Sequence, residues 1–460
     1  MPKITLINPS QSTRYPQPPL GLALLAGILE KQGYKVIILD ANSPGFSIDE
    51  SLKDIAVGEI IGITAMTPTI GRALDIAKKV KQKQHGCIVV IGGPHVTLMA
   101  EETLKSSTCL DIAVHGEADE TIIELVKAFE QHTPLEKIPG ISFIRDGNII
   151  QTLTRQTLTD MESLPYPAFH LLDLELYQPH PPHGMYRPFA AMVTSRGCPY
   201  RCAYCSKPVF GSKFRAQSAP RVVDEMVYLK ERFGIREIAF YDDSFTLDKK
   251  RVHEICELVL EKKLKIAWTC ETRVNLVDKE LLRHMKQAGC YAIAYGIETA
   301  APEIMKVIQK DITLEQVEAA VRAHHEVGLQ VVGYFMLGSP GETPATMTQT
   351  INFAKKLKVD FAQFSITTPF PSTELYDIYM KGRQSPPKWE DFVYAGTDNP
   401  ATPVFESDAL TRADLKHWVS KAYRMFYLRP GYIWQRLKRC TSWAEIKTNF
   451  KGLQMLLRSI

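Results

Sequence analysis

The sequence of 460 residues contains no long apolar run. A helix needs about 20 predominantly apolar residues to cross a bilayer, and no stretch reaches that length. The first ten residues, MPKITLINPS, have the pattern of a strand that enters a turn and not that of a signal peptide. We therefore expect a protein that stays in the cytosol, where thiols are kept reduced.

Cysteine is scarce, and its distribution does not fit the disulfide framework of a secreted protein. Six of the nine cysteines are scattered, and Cys198, Cys202 and Cys205 stand together in the stretch TSRGCPYRCAYC. The spacing C-x3-C-x2-C brings three thiolates close enough to share one iron-sulfur cluster. Three ligands leave one iron open, and an open metal position is where a substrate or cofactor binds.

This cysteine spacing resembles the signature of the radical S-adenosylmethionine (SAM) superfamily. The resemblance implies a [4Fe-4S] cluster whose open iron chelates the amino and carboxylate groups of SAM. One electron from the cluster then cleaves SAM to a 5'-deoxyadenosyl radical. The alternative is a three-cysteine zinc site that His183 or His180 completes.

Strand and helix patterns alternate through residues 1–150 and predict a doubly wound domain with a parallel sheet, whose ligands bind at the carboxyl ends of the strands. The sequence predicts strands at 3–8, 35–40, 60–64, 87–91 and 112–114. It predicts helices at 20–32, 70–83 and 120–130.

The loops after these strands read NPSQSTRY, TAMTPT, GGPHVT and HGEAD, and PPLGLALLA opens the first helix. Together they resemble the cobalamin-binding domain that precedes many radical SAM domains. A D-x-H-x-x-G loop is missing after the first strand, so no histidine from that position would bind cobalt. Gln11, Arg14 or Tyr15 could lie there instead, and a Rossmann-like domain without a cofactor is the alternative. The resemblance implies cobalamin contacts from Arg14, Thr64, Thr67, Gly92, Gly93, His95, Thr97, Gly116 and Glu117.

Prolines are dense in residues 151–188, which predicts an interdomain linker. Six further strand patterns alternate with helices over residues 189–385, and the cysteine loop follows the first of them. They predict a partial (β/α)6 barrel of the kind that the radical SAM family uses, with its chemistry at the carboxyl ends of the strands. These strands are predicted at 190–195, 236–241, 265–270, 291–297, 330–337 and 360–366.

The fourth barrel strand should have one face that is almost bare, because Ala292, Ala294 and Gly296 alternate with Tyr291, Ile293 and Tyr295 until Glu298 appears. By resemblance to the family, Tyr204, Arg273, Glu298 and Gly333 would contact SAM. The alternative is that Glu298 and Arg273 only form a buried ion pair.

Three other cysteines, Cys256, Cys270 and Cys290, are expected at different levels of the barrel, as free buried thiols and not as a second cluster. His324 and His325 fall in the middle of a helix, where a solvated or capped role is expected and not a catalytic one.

The net charge is only +4, but it is unevenly placed, since residues 411–460 hold eleven lysines and arginines against Asp414 and Glu445. Aromatic residues interleave with these charges in the region 386–460, for which we expect a helical structure. The mixture suits peripheral contact with an anionic membrane surface. The alternative is a helical cap that covers the barrel, and nucleic acid is the less favoured partner.

The combined motifs identify the chain as a member of the cobalamin-dependent radical SAM enzymes. The resemblance implies methylation of an unactivated carbon of a small-molecule, lipid or isoprenoid-type substrate, with flavodoxin or ferredoxin as electron donor. The first alternative is a cyclase or ring-rearranging enzyme of tetrapyrrole or polycyclic lipid biosynthesis. A methylthiotransferase would carry three more cysteines in its first domain, where only Cys87 and Cys109 occur. A cobalamin-responsive binding module would leave the cysteine motif without a purpose.

Overall fold

The protein is described by a computed structural model that covers residues 3–11, 15–53, 55–177, 186–381, 388–389, 392, 405–406 and 410–439. Arg14, His180 and His183 lie outside the described residues, as does much of the predicted region 386–460. The division of the chain at residues 150, 188 and 385 remains a prediction. In the described part of the chain, no helix is both long and apolar enough to cross a membrane.

The first sheet has the strand order β2-β1-β3-β4-β5-β6-β7, and its first five strands are parallel, as the sequence predicts. The antiparallel hairpin of β6 and β7 was not predicted. Its signal was present, because Asp146 and Gly147 both have positive φ and an Asp-Gly pair favours a two-residue hairpin turn. The strands are β1 Ile4–Asn8, β2 Val36–Asp40, β3 Ile60–Thr64, β4 Ile88–Gly92, β5 Ile112–Val114, β6 Ile141–Arg145 and β7 Asn148–Gln151.

Helices cover both faces of this sheet and bury a separate apolar core on each. Leu22 of α1 and Leu125 of α6 belong to one core, and Ala73 of α3 and Leu104 of α5 belong to the other. The domain is therefore doubly wound. The helices are α1 Leu20–Lys31, α2 Ile48–Ser51, α3 Ile70–Lys83, α4 Pro94–Leu98, α5 Ala100–Lys105 and α6 Thr121–Gln131.

The second large sheet is the predicted partial barrel of six parallel strands, in the order β15-β14-β13-β12-β11-β8. Its first strand ends at Met192, earlier than predicted, because Ser195 and Arg196 pair with a strand beyond the cysteine loop. The strands are β8 Phe189–Met192, β9 Ser195–Arg196, β10 Arg215–Ala216, β11 Glu237–Phe240, β12 Ala267–Thr272, β13 Cys290–Glu298, β14 Gln330–Leu337 and β15 Phe361–Ile366.

Amphipathic helices pack on the outer face of the barrel and bury a core that includes Trp268 and Phe240. Outward residues of the strands, such as Val331 and Phe335, fill this core. The residues that alternate with the outward ones along each strand face the lumen. These helices are α7 Ala219–Phe233, α8 Lys249–Glu261, α9 Lys279–Gln287, α10 Pro302–Val307, α11 Leu314–Val327 and α12 Pro344–Leu357. A further helix, α13 Glu374–Met380, lies beside the cysteine loop, where the Leu375 N–H donates to the Ala203 carbonyl.

Two C-terminal helices, α14 Arg412–Tyr427 and α15 Pro430–Arg439, lie against the open edge of the barrel at β15. The Tyr427 hydroxyl donates to the Ala362 carbonyl and accepts from its N–H, at 2.8 and 3.0 Å. Tyr423 accepts from the Phe364 N–H, and Tyr432 donates to the Asp360 carbonyl. These aromatic residues therefore serve as the helical cap that the sequence analysis named as one alternative.

The proline-rich segment contains only a short 3-10 turn, Phe169–Leu171, among the residues that the structure describes before 178. It packs against both sheets. The Ala168 N–H donates to the Ala23 carbonyl of α1, while Phe169 is buried in the barrel core. The Tyr177 hydroxyl donates to Asp40 at 2.7 Å, at the carboxyl end of β2.

Candidate functional site

The loop that carries the three cysteines is held at its base by two carboxylates that follow β11. Asp242 accepts hydrogen bonds from the Thr194 N–H, the Thr194 hydroxyl and the Ser195 hydroxyl, at 2.7, 2.7 and 2.5 Å. Asp243 accepts from the Gly197 N–H at 3.2 Å. Together with the β9–β10 ladder, these bonds close the loop into a compact unit at the barrel mouth.

The cysteine thiols themselves are free and reachable. Cys198 and Cys202 are partly buried and Cys205 is exposed. The N–H of Cys205 donates to the Cys202 carbonyl in a tight turn, and Lys207 donates to the Cys198 carbonyl at 2.9 Å. Although Cys205 keeps an exposed surface, partial loss of water around its thiol raises the pKa to about 11, with the neighbouring Cys202 adding to the shift. A bound cation would favour the thiolate instead, so three free thiols in one loop fit a cluster.

Beside this loop, Glu298 at the end of β13 forms a small buried polar group with two other side chains. Its Oε1 accepts from the Tyr204 hydroxyl at 2.8 Å and from the Lys310 ammonium at 2.9 Å. No described side chain donates to its Oε2. Glu298 has φ of +69°, a conformation that L-residues rarely adopt, and such strain is common at functional sites. The group fits a ligand that offers a donor to Oε2.

Gly296 is required by this arrangement. A Cβ at Gly296 would lie 2.3 Å from Oε1 of Glu298 and 2.7 Å from Nζ of Lys310. Because β13 is irregular between Gly296 and Glu298, the carboxylate folds back over the glycine.

Arg273 lies at the cluster loop and not at Glu298. Its guanidinium stacks on the Tyr200 ring at 3.7 Å and donates to Cys202 Sγ at 3.4 Å. It also donates to the Lys310 carbonyl. The alternative of a Glu298–Arg273 ion pair is therefore wrong, since Lys310 is the partner of Glu298. Lys310 was not predicted as a site residue, because it lies in an irregular segment and carries no local signal.

Two expectations about the barrel strands need correction. A Cβ at Gly333 would meet the Phe335 ring at 2.9 Å and Ile297 at 3.3 Å, so this glycine faces the outer core and not the lumen. Tyr291 does not share the surroundings of Tyr295. The register shifts between Trp268 and Thr269 on the neighbouring strand, and the Tyr291 hydroxyl bonds to Glu237.

The predicted cobalamin loops converge at the carboxyl ends of β3, β4 and β5. Gly93 has φ of +105°, and a Cβ there would lie 2.8 Å from the Ala65 carbonyl, so only glycine lets the loop after β4 press against the loop after β3. Thr64 borders this contact, and Gly92 ends β4. The Thr97 hydroxyl donates to the Gly93 carbonyl and accepts from the Gly116 N–H. This edge fits a large cofactor that approaches the backbone.

His95 is buried beneath the same edge. Its Nδ1 lies 3.2 Å from the Thr67 hydroxyl, and the ring of Trp389 packs edge-on against it with centroids 5.0 Å apart. Burial lowers the pKa of His95 to about 4, so the imidazole is neutral at neutral pH. His95 and Thr67 therefore lie near the predicted cobalamin loops, but they contact each other. His95 also contacts Trp389 of the C-terminal segment.

Glu117 is part of a buried cluster that joins the first domain to the cysteine loop, which we call the interdomain charge cluster: Glu117, Asp119, Arg196 and Arg215. Arg196 donates to both oxygens of Asp119 at 2.7 and 2.9 Å, and to Glu117 at 3.1 Å. Arg215 contacts Glu117 at 2.6 Å. The prediction of Glu117 as a cobalamin contact is thus corrected, because both arginines occupy its carboxylate.

Cys270 and Cys290 lie at different levels of the barrel, as expected, because Cys270 pairs with Ile293 and Cys290 pairs with Trp268. The Cys290 thiol donates to the Ala292 carbonyl at 3.7 Å. Burial raises the pKa of the Cys256 and Cys270 thiols, and Cys290 adds to both shifts. All three are free and buried, as predicted. Among the described residues, no three His, Cys, Asp or Glu side chains are gathered as a metal site, and this holds for these three cysteines as well as for the three thiols of the cysteine loop. His324 is also fully buried and bonds to the Tyr295 hydroxyl at 2.6 Å, so its expected solvated role is wrong.

Comparison with known proteins agrees with this arrangement. Residues 11–126 match the model of the B12 binding domain, and residues 192–354 match that of the radical SAM superfamily. An uncharacterized methyltransferase of Pyrococcus horikoshii is 37% identical over 90% of this chain and 88% of its own length. An anaerobic magnesium-protoporphyrin IX monomethyl ester cyclase of Cereibacter sphaeroides is 30% identical over 91% of this chain and 69% of its own length.

The fold is also that of a solved structure. The radical SAM methyltransferase TsrM from Kitasatospora setae, solved with cobalamin and a [4Fe-4S] cluster, has a TM-score of 0.72 at 20% identity and covers 84% of this chain and 80% of its own.

A cobalamin-type sheet followed by a barrel with a three-cysteine loop defines a radical enzyme that combines cobalamin with an iron-sulfur cluster. The chain belongs to the cobalamin-binding radical SAM family, and it is a radical SAM enzyme. The prediction of its cofactors, a [4Fe-4S] cluster, SAM and cobalamin, is confirmed by these matches.

Proposed function

We propose that this enzyme methylates an unactivated carbon of a small-molecule substrate. The observation that carries the proposal is the joining of the two domains by the interdomain charge cluster, which ties the loop after β5 to the cysteine loop. The two cofactors, when bound, would supply a hydrogen-abstracting radical and a methyl donor. A methyl transfer that needs both requires their sites to be held at a constant separation.

The residues of this chain would position and shield the reactants. Cys198, Cys202 and Cys205 hold the cluster, and Oε2 of Glu298 accepts a hydrogen bond from SAM. Tyr204 and Lys310 hold the Glu298 carboxylate in place, and Arg273 braces the cysteine loop. The edge formed by Thr64, Gly92, Gly93, Thr97 and Gly116 receives cobalamin. The chain between these sites would keep water and oxygen from the substrate carbon.

A second candidate is a ring-forming or rearranging reaction without net methyl transfer. It is favoured by the 30% identity to an anaerobic cyclase that acts on magnesium-protoporphyrin IX monomethyl ester. The two reactions share the radical but differ in whether SAM is converted to S-adenosylhomocysteine.

The test is anaerobic purification, reconstitution with iron, sulfide and cobalamin, and addition of SAM with reductant. We expect a bound corrinoid spectrum with both 5'-deoxyadenosine and S-adenosylhomocysteine. Formation of 5'-deoxyadenosine without S-adenosylhomocysteine, in an assay repeated with substrate present, would favour the second candidate. Absence of both products from a protein with an intact cluster would contradict an enzymatic role, and Cys202→Ala is the variant that must lose both.

We also propose a cytoplasmic enzyme with flavodoxin or ferredoxin as reductant, and peripheral contact with an anionic membrane that would bring a lipid substrate. Support for the membrane contact comes from α15, where Trp434 and Ile433 are 62% and 38% exposed. Basic residues flank them along the helix. We expect Trp434→Ser to weaken sedimentation with anionic liposomes and to leave deoxyadenosine formation unchanged. Equal sedimentation of both proteins would contradict the membrane contact.

A further inference from the structure

The barrel lumen contains a carboxylate, that of Glu271, which has no part in the candidate cluster site or the candidate SAM site. Glu271 lies on β12, between the outward residue Cys270 and Thr272, and so faces the lumen. Its Oε1 accepts a hydrogen bond from the hydroxyl of Tyr334 on β14 at 2.9 Å. Because β13 lies between β12 and β14, this bond crosses an entire strand.

The crossing is possible because β13 presents almost no side chains there. Glu271 pairs with Ala294, and Gly296 pairs with Tyr334. Ala294 is fully buried, whereas Glu271 and Tyr334 are only partly buried. The two polar side chains therefore cover the bare strand on its lumen side.

A third polar residue extends this surface. Gln363 pairs directly with Tyr334 on the edge strand β15, points to the same side, and is also partly buried. We call Glu271, Tyr334 and Gln363 the lumen polar row.

The negative charge of Glu271 has no positively charged partner among the described residues. Among the residues that the structure describes, no lysine or arginine forms an ion pair with Glu271, and Tyr334 provides its single hydrogen bond. The nearest arginine along the chain, Arg273, is engaged by Tyr200 and Cys202. Burial raises the pKa of the Glu271 carboxyl, since water is partly removed without a compensating cation. Such a group is more stable when a positive charge is beside it.

We propose that Glu271, oriented by Tyr334, binds a positively charged nitrogen of the substrate. This inference rests on the proposed function and assigns its substrate class: a molecule with a protonated amine. Glu298 lies four residues beyond Ala294 on β13, towards the mouth. The charged nitrogen is therefore held deeper in the lumen than the SAM site, and the carbon that reacts lies on the mouth side of it.

The test uses the cluster-loaded full chain with SAM and measures binding of three six-carbon probes by saturation-transfer NMR. The probes are hexylammonium, hexanol and hexanoate, which share an apolar tail and differ in the charge of the head. We expect wild type to bind hexylammonium at least tenfold more tightly than hexanol, and hexanoate more weakly than either. We expect Glu271→Gln to abolish the preference for ammonium.

Three further variants complete the design. Glu280→Gln removes the same charge from an exposed position of α9 and should keep the preference. Tyr334→Phe keeps the Glu271 carboxylate and should therefore keep the preference for ammonium. Glu271→Asp should also keep this preference, with weaker affinity for hexylammonium. Equal binding of hexylammonium and hexanol by wild type overturns the inference, as does an unchanged preference in Glu271→Gln. The proposed function fails separately, through its two SAM products, so the two failures are distinguishable.

Discussion

At the scale of single residues, the candidate SAM site depends on the absence of one side chain. The Glu298 carboxylate folds back to within 2.3 Å of where a Cβ of Gly296 would stand, and Lys310 and Tyr204 hold it there. Glu298 and Lys310 are both buried, and Lys310 also donates to the Tyr204 hydroxyl, so a Cβ at Gly296 would have to displace the ends of bonded side chains.

We expect Gly296→Ala to displace the Glu298 carboxylate and to weaken SAM binding roughly tenfold, which corresponds to about 1.4 kcal/mol. The measurement is equilibrium SAM binding to the cluster-loaded protein. Gly431→Ala is the control, because a Cβ at that exposed helical position meets nothing within 4 Å. Equal affinities of Gly296→Ala and wild type would show that Glu298 is not part of the SAM site.

A second residue-scale prediction concerns His324, whose burial lowers its pKa to about 3. In the unfolded chain it takes up a proton near pH 6.5, whereas in the folded protein it stays neutral, so stability falls as the pH drops below 6.5. Between pH 7.5 and 5 this loss is about 2 kcal/mol. We expect the urea midpoint of His324→Leu to decline less over this range than that of wild type. His325→Gln, on the exposed side of the same helix, should decline as wild type does.

At the scale of elements, the partial barrel has an edge that an isolated sheet would leave unpaired. Exposed strand edges invite association with other strands, and proteins commonly cover them. Here the hydroxyl groups of α14 and α15 bond to backbone groups of β15, so side chains replace the missing strand.

We expect Tyr427→Phe to destabilise the barrel edge by about 1–3 kcal/mol, because it leaves the Ala362 N–H and carbonyl buried without a partner. Hydrogen exchange of β15 peptides should speed up, while exchange in β1–β5 stays unchanged. Tyr186→Phe, at a tyrosine that is 42% exposed, is the control. Unchanged exchange in β15 would mean that helix packing alone protects the edge.

At the scale of the whole molecule, two domains that carry different cofactors are joined through the interdomain charge cluster. All four side chains are at most 8% exposed, so their interaction is only weakly screened by salt. Removing one partner of such a cluster leaves a buried charge uncompensated, which costs about 3–5 kcal/mol.

We expect Asp119→Asn to lower formation of S-adenosylhomocysteine relative to 5'-deoxyadenosine, because methyl transfer needs both domains and SAM cleavage needs only the barrel. The measurement is the ratio of the two products under anaerobic turnover. Glu120→Gln changes an exposed neighbour that pairs with Arg155 of the proline-rich segment and not with the cysteine loop, and it should leave the ratio unchanged. Equal product ratios in Asp119→Asn and wild type would show that the interdomain charge cluster plays no part in coupling SAM cleavage to methyl transfer.

The sequence by itself determined what is local in the chain. The cysteine spacing lies within eight residues, and the alternation of apolar strands and amphipathic helices is a short-range pattern, so the cluster loop and both sheets were predictable. Even the missed hairpin of β6 and β7 had a local Asp-Gly signal.

Only the tertiary structure decided which distant polar groups meet. Arg196 and Asp119 are 77 residues apart, Tyr427 and Ala362 are 65 apart, and Glu271 and Tyr334 are 63 apart. A single sequence contains no signal for such pairings, because they depend on how the strands are ordered and on which side chains between them are small. For this reason the assignments of Glu117, Gly333 and the partner of Glu298 had to be corrected, while those of the cysteine loop did not.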